Sequence, residues 1–333
     1  MRLRPQWLLL SLTVACATAP TAPTATSTPA PTPGKPLALP SQLKEGRFIV
    51  HPRTSTGKEL ALFTDTGGGL YFAESAVRAL GLPMEGEAST TGAPARPTVR
   101  IPAFSAEAWI PPLTNETISA AVMPEGIAKA NTFDWDGMLG QAWFAGRVWT
   151  FDYPNQKLWL RAPGDVPTVD ASHRVSLGFP TNAEGARETN FPRIQIKVDG
   201  ETLDLLFDTG ASVLLTQGAQ DALADGRPAD RATSFITRSV FERWHQHHPE
   251  WRVVEDADRR VPHSSLIEVP SLEVAGHTVG PVWFTTRADP NFHQGMSQFM
   301  DKTVEGALGG SALGYFRVTV DYPQAVAVFE RLP

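Results

Sequence analysis

One cysteine, Cys16, is present in 333 residues, so no disulfide can form within the chain. No block of Lys and Arg occurs and the formal net charge is −6, which argues against nucleic acid as a partner. No apolar run is long enough to cross a bilayer as a folded helix. The strongest, Trp7 to Ala15, follows Arg2 and Arg4 and has the pattern of a cleaved export signal. A metal set is lacking as well. His245, His247 and His248 crowd one segment, but only His245 and His248 would share a helical face, and no Cys or well-placed acid completes them. Neither a metal nor a cofactor is expected.

What the chain does have is an acid where acids are rare. In LDLLFDTGASVLLT, residues 203 to 216, an apolar strand-like run ends directly on Asp208-Thr209-Gly210. Asp is depleted from strands and is seldom buried alone, because an isolated carboxylate in an apolar site takes up a proton instead. A partner is therefore required. It is visible in KELALFTDTGGGLYF, residues 58 to 72, which delivers Asp65-Thr66-Gly67 in the same way.

A second repeat supports the first. DGMLGQAWFAGRVWTFDYP, residues 136 to 154, returns as EGALGGSALGYFRVTVDYP, residues 305 to 323. The acids are offset by 143 residues and the later motifs by 169, so the second half carries extra chain, placed between 217 and 262.

Two copies of Asp-Thr-Gly, each followed by an apolar-Leu-Gly element (Met138-Leu139-Gly140 and Ala307-Leu308-Gly309), resemble the pepsin and retropepsin superfamily of aspartic peptidases. The resemblance covers roughly residues 46 to 333. It implies a mostly β fold of two duplicated β-barrel lobes with a cleft between them, and a bilobal bacterial enzyme. It also implies that Thr66 and Thr209 bond across to the opposite loop, and that Gly67 and Gly210 let backbone approach the carboxyls.

Taken in order, residues 1–16 read as a signal peptide. Its Cys16 resembles the lipid-modified first residue of a bacterial lipoprotein, with a plain secretory signal as the alternative. Residues 17–45, rich in Thr, Ala and Pro, read as a disordered tether. An N-terminal lobe follows at 46–163, an interlobe connection at 164–191 and a C-terminal lobe at 192–333, with a helical insertion around 217–262. The expected protein is an extracytoplasmic monomer, anchored to a membrane through Cys16 or else secreted.

Two facing carboxyls cannot both ionise cheaply, so Asp65 and Asp208 would share one proton, as in the aspartic proteases that are the standard example of such a pair. The implied activity is aspartic endopeptidase: water between the two acids attacks a peptide carbonyl of a polypeptide substrate, with no covalent intermediate. One departure bears on this. The family usually has Ser, Thr or Ala after the motif, which Ala211-Ser212 satisfies, but the first copy reads Gly68-Gly69. That keeps open a catalytically weak or inactive extracytoplasmic peptide-binding lipoprotein of the same fold, and a surface scaffold as a third reading.

Overall fold

The computed structural model describes residues 29–88, 95–130 and 134–332. Local sequence accounts for most of its elements. Arg193–Val198 and Glu201–Phe207 alternate apolar and polar residues and pair antiparallel around Asp199-Gly200. Asp199 and Gly200 both adopt positive φ, 49° and 80°, which is the tight turn whose twist matches that of the strands it joins. The earlier hairpin pairs Arg47–Val50 with Leu62–Thr64, Ile49 opposite Phe63. Helix Glu74–Leu80 stops at Gly81, whose φ of 61° and backbone N–H to Arg78 form a left-handed cap. Helix Arg238–His247 buries Val240, Phe241 and Trp244 on one stripe and leaves its polar face to solvent.

The strands assemble into three large sheets. An eight-stranded sheet takes its strands from residues 41 to 139, and a nine-stranded sheet from residues 193 to 308. In the first, Leu62–Thr64 lies parallel to Gly137–Leu139; in the second, Glu201–Phe207 lies parallel to Gly306–Leu308. Both halves contribute to a six-stranded sheet, in which Val148–Asp152 pairs antiparallel with Arg317–Asp321. At its centre Thr150 Oγ1 and Thr319 Oγ1 lie 2.7 Å apart, both side chains buried. One contiguous apolar core, which includes Phe48, Trp149, Phe151, Phe207, Phe284 and Phe329, runs through both halves.

The expectation of two duplicated, closed β-barrel lobes is corrected here. The chain is mixed α/β with open sheets. The eight-stranded sheet ends on Ser41–Lys44 and Gly86–Ala88, and the nine-stranded sheet ends on Val253–Val254 and His277–Val279, with no pairing of first strand to last among the described residues. Closure needs a continuous, staggered ring of strand pairing, and these edge strands of two to four residues do not supply it. A further difference concerns the stretch before residue 46. Leu37–Ala38 pairs with Leu160 and Trp159, and Ser41–Lys44 pairs with Arg47–Val50. Leu37, Leu39 and Leu43 bring the apolar side chains that the Thr/Ala/Pro run upstream lacks.

Candidate functional site

Asp65 and Asp208 each stand one residue past the end of a buried strand. Each backbone N–H is held by the neighbouring parallel strand: Asp65 donates to Leu139 O at 3.1 Å and Asp208 to Leu308 O at 3.0 Å. The two loops then lock across one another. Thr209 N donates to Thr66 Oγ1 at 3.0 Å and Thr66 N to Thr209 Oγ1 at 3.2 Å, while Thr66 Oγ1 donates to Phe207 O at 2.7 Å. Both threonines are fully buried, so each bond spares a polar group the cost of an unmet partner.

The glycines are placed by steric need. A Cβ on Gly67 would lie 2.6 Å from Asp208 Cγ, and one on Gly210 would run into Asp65 Cγ. Each glycine therefore sits against the opposite acid, at a distance that only a residue without a side chain tolerates. Its own N–H donates to the acid of its own loop, Gly67 to Asp65 Oδ1 and Gly210 to Asp208 Oδ1, both at 2.9 Å.

The carboxyls are almost buried, 9% and 7% exposed, and are hydrogen-bonded to one another. Burial pushes Asp65 well above the usual carboxylate value. The charge of Asp208 and the hydrogen bond between the acids push it the same way, against the N–H groups of Gly67 and Gly68. Burial also raises Asp208, but the bond from Asp65 and the N–H groups of Gly210 and Ala211 oppose the rise. The two carboxyls therefore share a proton as a pair. Such a pair can donate one hydrogen bond and accept others at a single point, the property that lets paired carboxyls grip or polarise a carbonyl or hydroxyl group.

The surroundings are unequal. A Cβ at Gly68 would stand 2.5 Å from Asp65 Oδ2 and 2.6 Å from Met138 Sδ. The thioether of Met138 thus occupies space that a side chain at Gly68 would enter. At the corresponding place beside Asp208 the chain has buried Ala211 and Ala307. Sequence reasoning noticed the missing hydroxyl but not the thioether.

Three tyrosines near the acids were also overlooked. Tyr71 is raised by burial and by the Asp65 charge, with Arg96 opposing. Tyr153 and Tyr322 are fully buried, and neither hydroxyl has a hydrogen-bond partner among the described residues. Burial raises both: Asp208 adds to the shift of Tyr153, while Arg187 opposes and Asp65 adds to that of Tyr322. The repeated Asp-Tyr-Pro at 152–154 and 321–323 was the available signal.

Other sequence candidates lie apart. His248 Nε2 meets Asp199 Oδ2 at 3.0 Å and its ring stacks on Trp251, whereas His245 stacks on Phe241. Cys16 lies outside the described residues.

No family model matches the chain, and no curated protein matches it. Among solved structures it resembles conglutin gamma, a basic 7S globulin from lupine seeds, at 12% identity, 89% of this chain, 95% of that chain and a TM-score of 0.44. It likewise resembles basic 7S globulin from soybean, at 11% identity, 89% of this chain, 94% of that chain and a TM-score of 0.45. Both are named as globulins, and neither name is that of the bilobal bacterial aspartic peptidase expected, which is corrected on that ground. The endopeptidase activity, the description as a protease and lipoprotein, the polypeptide substrate and the lipid anchor on Cys16 are withdrawn with it.

Proposed function

We propose that the chain is an extracytoplasmic binding protein, catalytically weak or inactive, that uses Asp65 and Asp208 as a hydrogen-bonding clamp for an extended, uncharged ligand rich in carbonyl or hydroxyl groups. Thr66, Gly67, Thr209 and Gly210 are the residues that hold the clamp in shape. The observation that carries this reading is the enclosure of the pair: two carboxyls only 9% and 7% exposed, each pressed against the opposite glycine, with Met138 Sδ beside Gly68 on the Asp65 side. Burial raises both carboxyls against the backbone N–H groups that would hold one of them ionised and ready as a base. A pair that shares a proton presents a donor and an acceptor side by side to one carbonyl or hydroxyl group.

The test is calorimetric titration of the purified chain with a short uncharged peptide, followed over days for cleavage. Binding that weakens at least tenfold in Asp65→Asn and in Asp208→Asn, with the peptide recovered whole, supports the clamp. Turnover by the wild type that both substitutions abolish would overturn it.

A further inference from the structure

Two histidines that the carboxyl site leaves unused meet face to face where the connection between the halves touches the edge of the nine-stranded sheet. His173 ends the short helical turn Ala171–His173, and His277 opens the edge strand His277–Val279. Their rings lie 3.8 Å apart, centroid to centroid, and 12° from parallel. On its other contact His277 packs against Phe316, at 5.3 Å.

The backbone brings the two segments into close touch. Strands Leu272–Val274 and His277–Val279 turn through Ala275 and Gly276, both at positive φ, 47° and 68°. A Cβ on Gly276 would stand 3.0 Å from Ser172 O. Immediately after His173, Arg174–Ser176 forms the edge of the six-stranded sheet by pairing with Val326–Glu330. The stack therefore joins the edges of two sheets.

Each ring uses one nitrogen on a carbonyl: His173 Nδ1 lies 2.9 Å from Ala275 O, and His277 Nε2 lies 3.3 Å from Phe329 O. A carbonyl only accepts, so these nitrogens carry the single proton of a neutral imidazole. The neutral stack is thus complete. One proton added leaves a neutral ring facing a cation, whereas a second sets two like charges against each other across 3.8 Å.

The neighbouring charges do not relieve that repulsion. Asp170, bound to Ser172 N at 2.9 Å, favours charge on His173. Arg331, whose Nη1 donates to Thr278 O at 3.3 Å, opposes charge on His277. Exposed Arg174 follows His173, exposed Glu273 stands opposite Thr278, and Glu330, next to Phe329, is held by Arg317 at 3.9 Å. Burial lowers His277 below the ordinary value of 6.5; the bond to Phe329 O opposes this, and the charges of His173 and Arg331 add to it.

We infer that the His173 and His277 stack is an acid-operated latch. With no more than one proton it holds the hairpin at 272–279 onto residues 170–173; a second proton parts the rings and frees the hairpin from the connection between the halves. A lowered histidine favours the closed latch fully above pH 6.5, and that preference is lost as pH falls below it.

Amide hydrogen exchange of the full chain, corrected for the intrinsic effect of pH, reads the release. Between pH 7.5 and pH 5, protection at 272–279 should fall on the order of tenfold, the equivalent of one pKa unit, while the hairpin at 193–207 keeps its protection. His277→Phe keeps a ring in the stack without its charge and should remove most of the fall. His173→Phe does the same from the other side, and thermal melts at pH 7.5 show whether either variant is folded. In the wild type, the imidazole C–H resonances of the two histidines should titrate in separate steps, the second clearly below 6.5. Protection that does not change with pH, a fall of equal size in a folded His277→Phe or His173→Phe, or two rings that titrate together would each overturn the latch. So would a fall that Asp65→Asn removes, since the acid response would then belong to the carboxyl pair.

Discussion

Thr66 and Thr209, 143 residues apart, each donate a backbone N–H to the other's hydroxyl oxygen. The exchange ties the two halves together immediately beneath the carboxyls. Because both groups are fully buried, a valine in either place strands an N–H that nothing else can meet. Thr66→Val should cost about 1–3 kcal/mol in chemical denaturation, and more than Thr209→Val, since only Thr66 Oγ1 also donates to Phe207 O. The double substitution strands both N–H groups, so its cost should lie close to the sum of the single costs. A cost well below the sum would show that breaking one bond already frees the other loop.

The Gly68 and Met138 contact sets a second expectation. Gly68→Ser alone forces its Cβ against Asp65 and the Met138 sulfur, and should destabilise by roughly 1–3 kcal/mol as an overpacked core does. Gly68→Ser combined with Met138→Ala should recover most of the loss and lower the value at which Asp65 ionises, by putting a hydroxyl where the thioether was. Carboxyl titration by nuclear magnetic resonance reads the second effect directly. If the double variant titrates as the wild type does, Met138 is not what sets the environment of Asp65.

The pair should also be visible in the pH dependence of stability. Asp65 and Asp208 titrate above the ordinary carboxylate value of 3.8 in the folded chain, chiefly because of burial. Raised values favour the folded state while the groups are protonated. Their contribution is therefore complete below about pH 3.8 and is lost as pH rises through the folded values. Asp65→Asn cannot ionise and should lack that loss. Its melting temperature relative to the wild type should rise between pH 3.5 and pH 8, measured by calorimetry at both. A difference that stays flat would mean the acids are not shifted.

At the Asp199-Gly200 turn the backbone is left-handed at both residues. Gly200→Ala should cost about 1 kcal/mol through the strain a side chain meets there, with no effect on ligand binding, since the turn closes the hairpin at the end away from Asp208. A loss of binding at unchanged stability would contradict that separation.

Much of the site could be read from the chain because it is local: an apolar strand, an acid and a glycine turn, written twice. Asp199-Gly200 and Gly81 were legible for the same reason, since a left-handed backbone selects its residues directly. Sheet closure was not legible. Alternation in Arg193–Val198 says that one face is buried, but not whether Val253–Val254 at one edge finds a partner at the other, because that depends on pairings between distant strands. Met138 was hidden for a related reason: it compensates Gly68 across 70 positions of chain, and only the folded backbone brings them together. The step from paired acids to hydrolysis was the weakest, since a motif specifies where two carboxyls sit and leaves their protonation to the surrounding side chains.

The shared six-stranded sheet bears on any attempt to divide the molecule. A fragment ending near residue 163 would present the bare edge of Val148–Asp152, and a fragment starting there the bare edge of Arg317–Asp321. Unpaired edges invite the nearest strand available. Expressed separately, such fragments would be sticky and short-lived; mixed, each would be the other's best remedy, reassembling a nicked but complete protein.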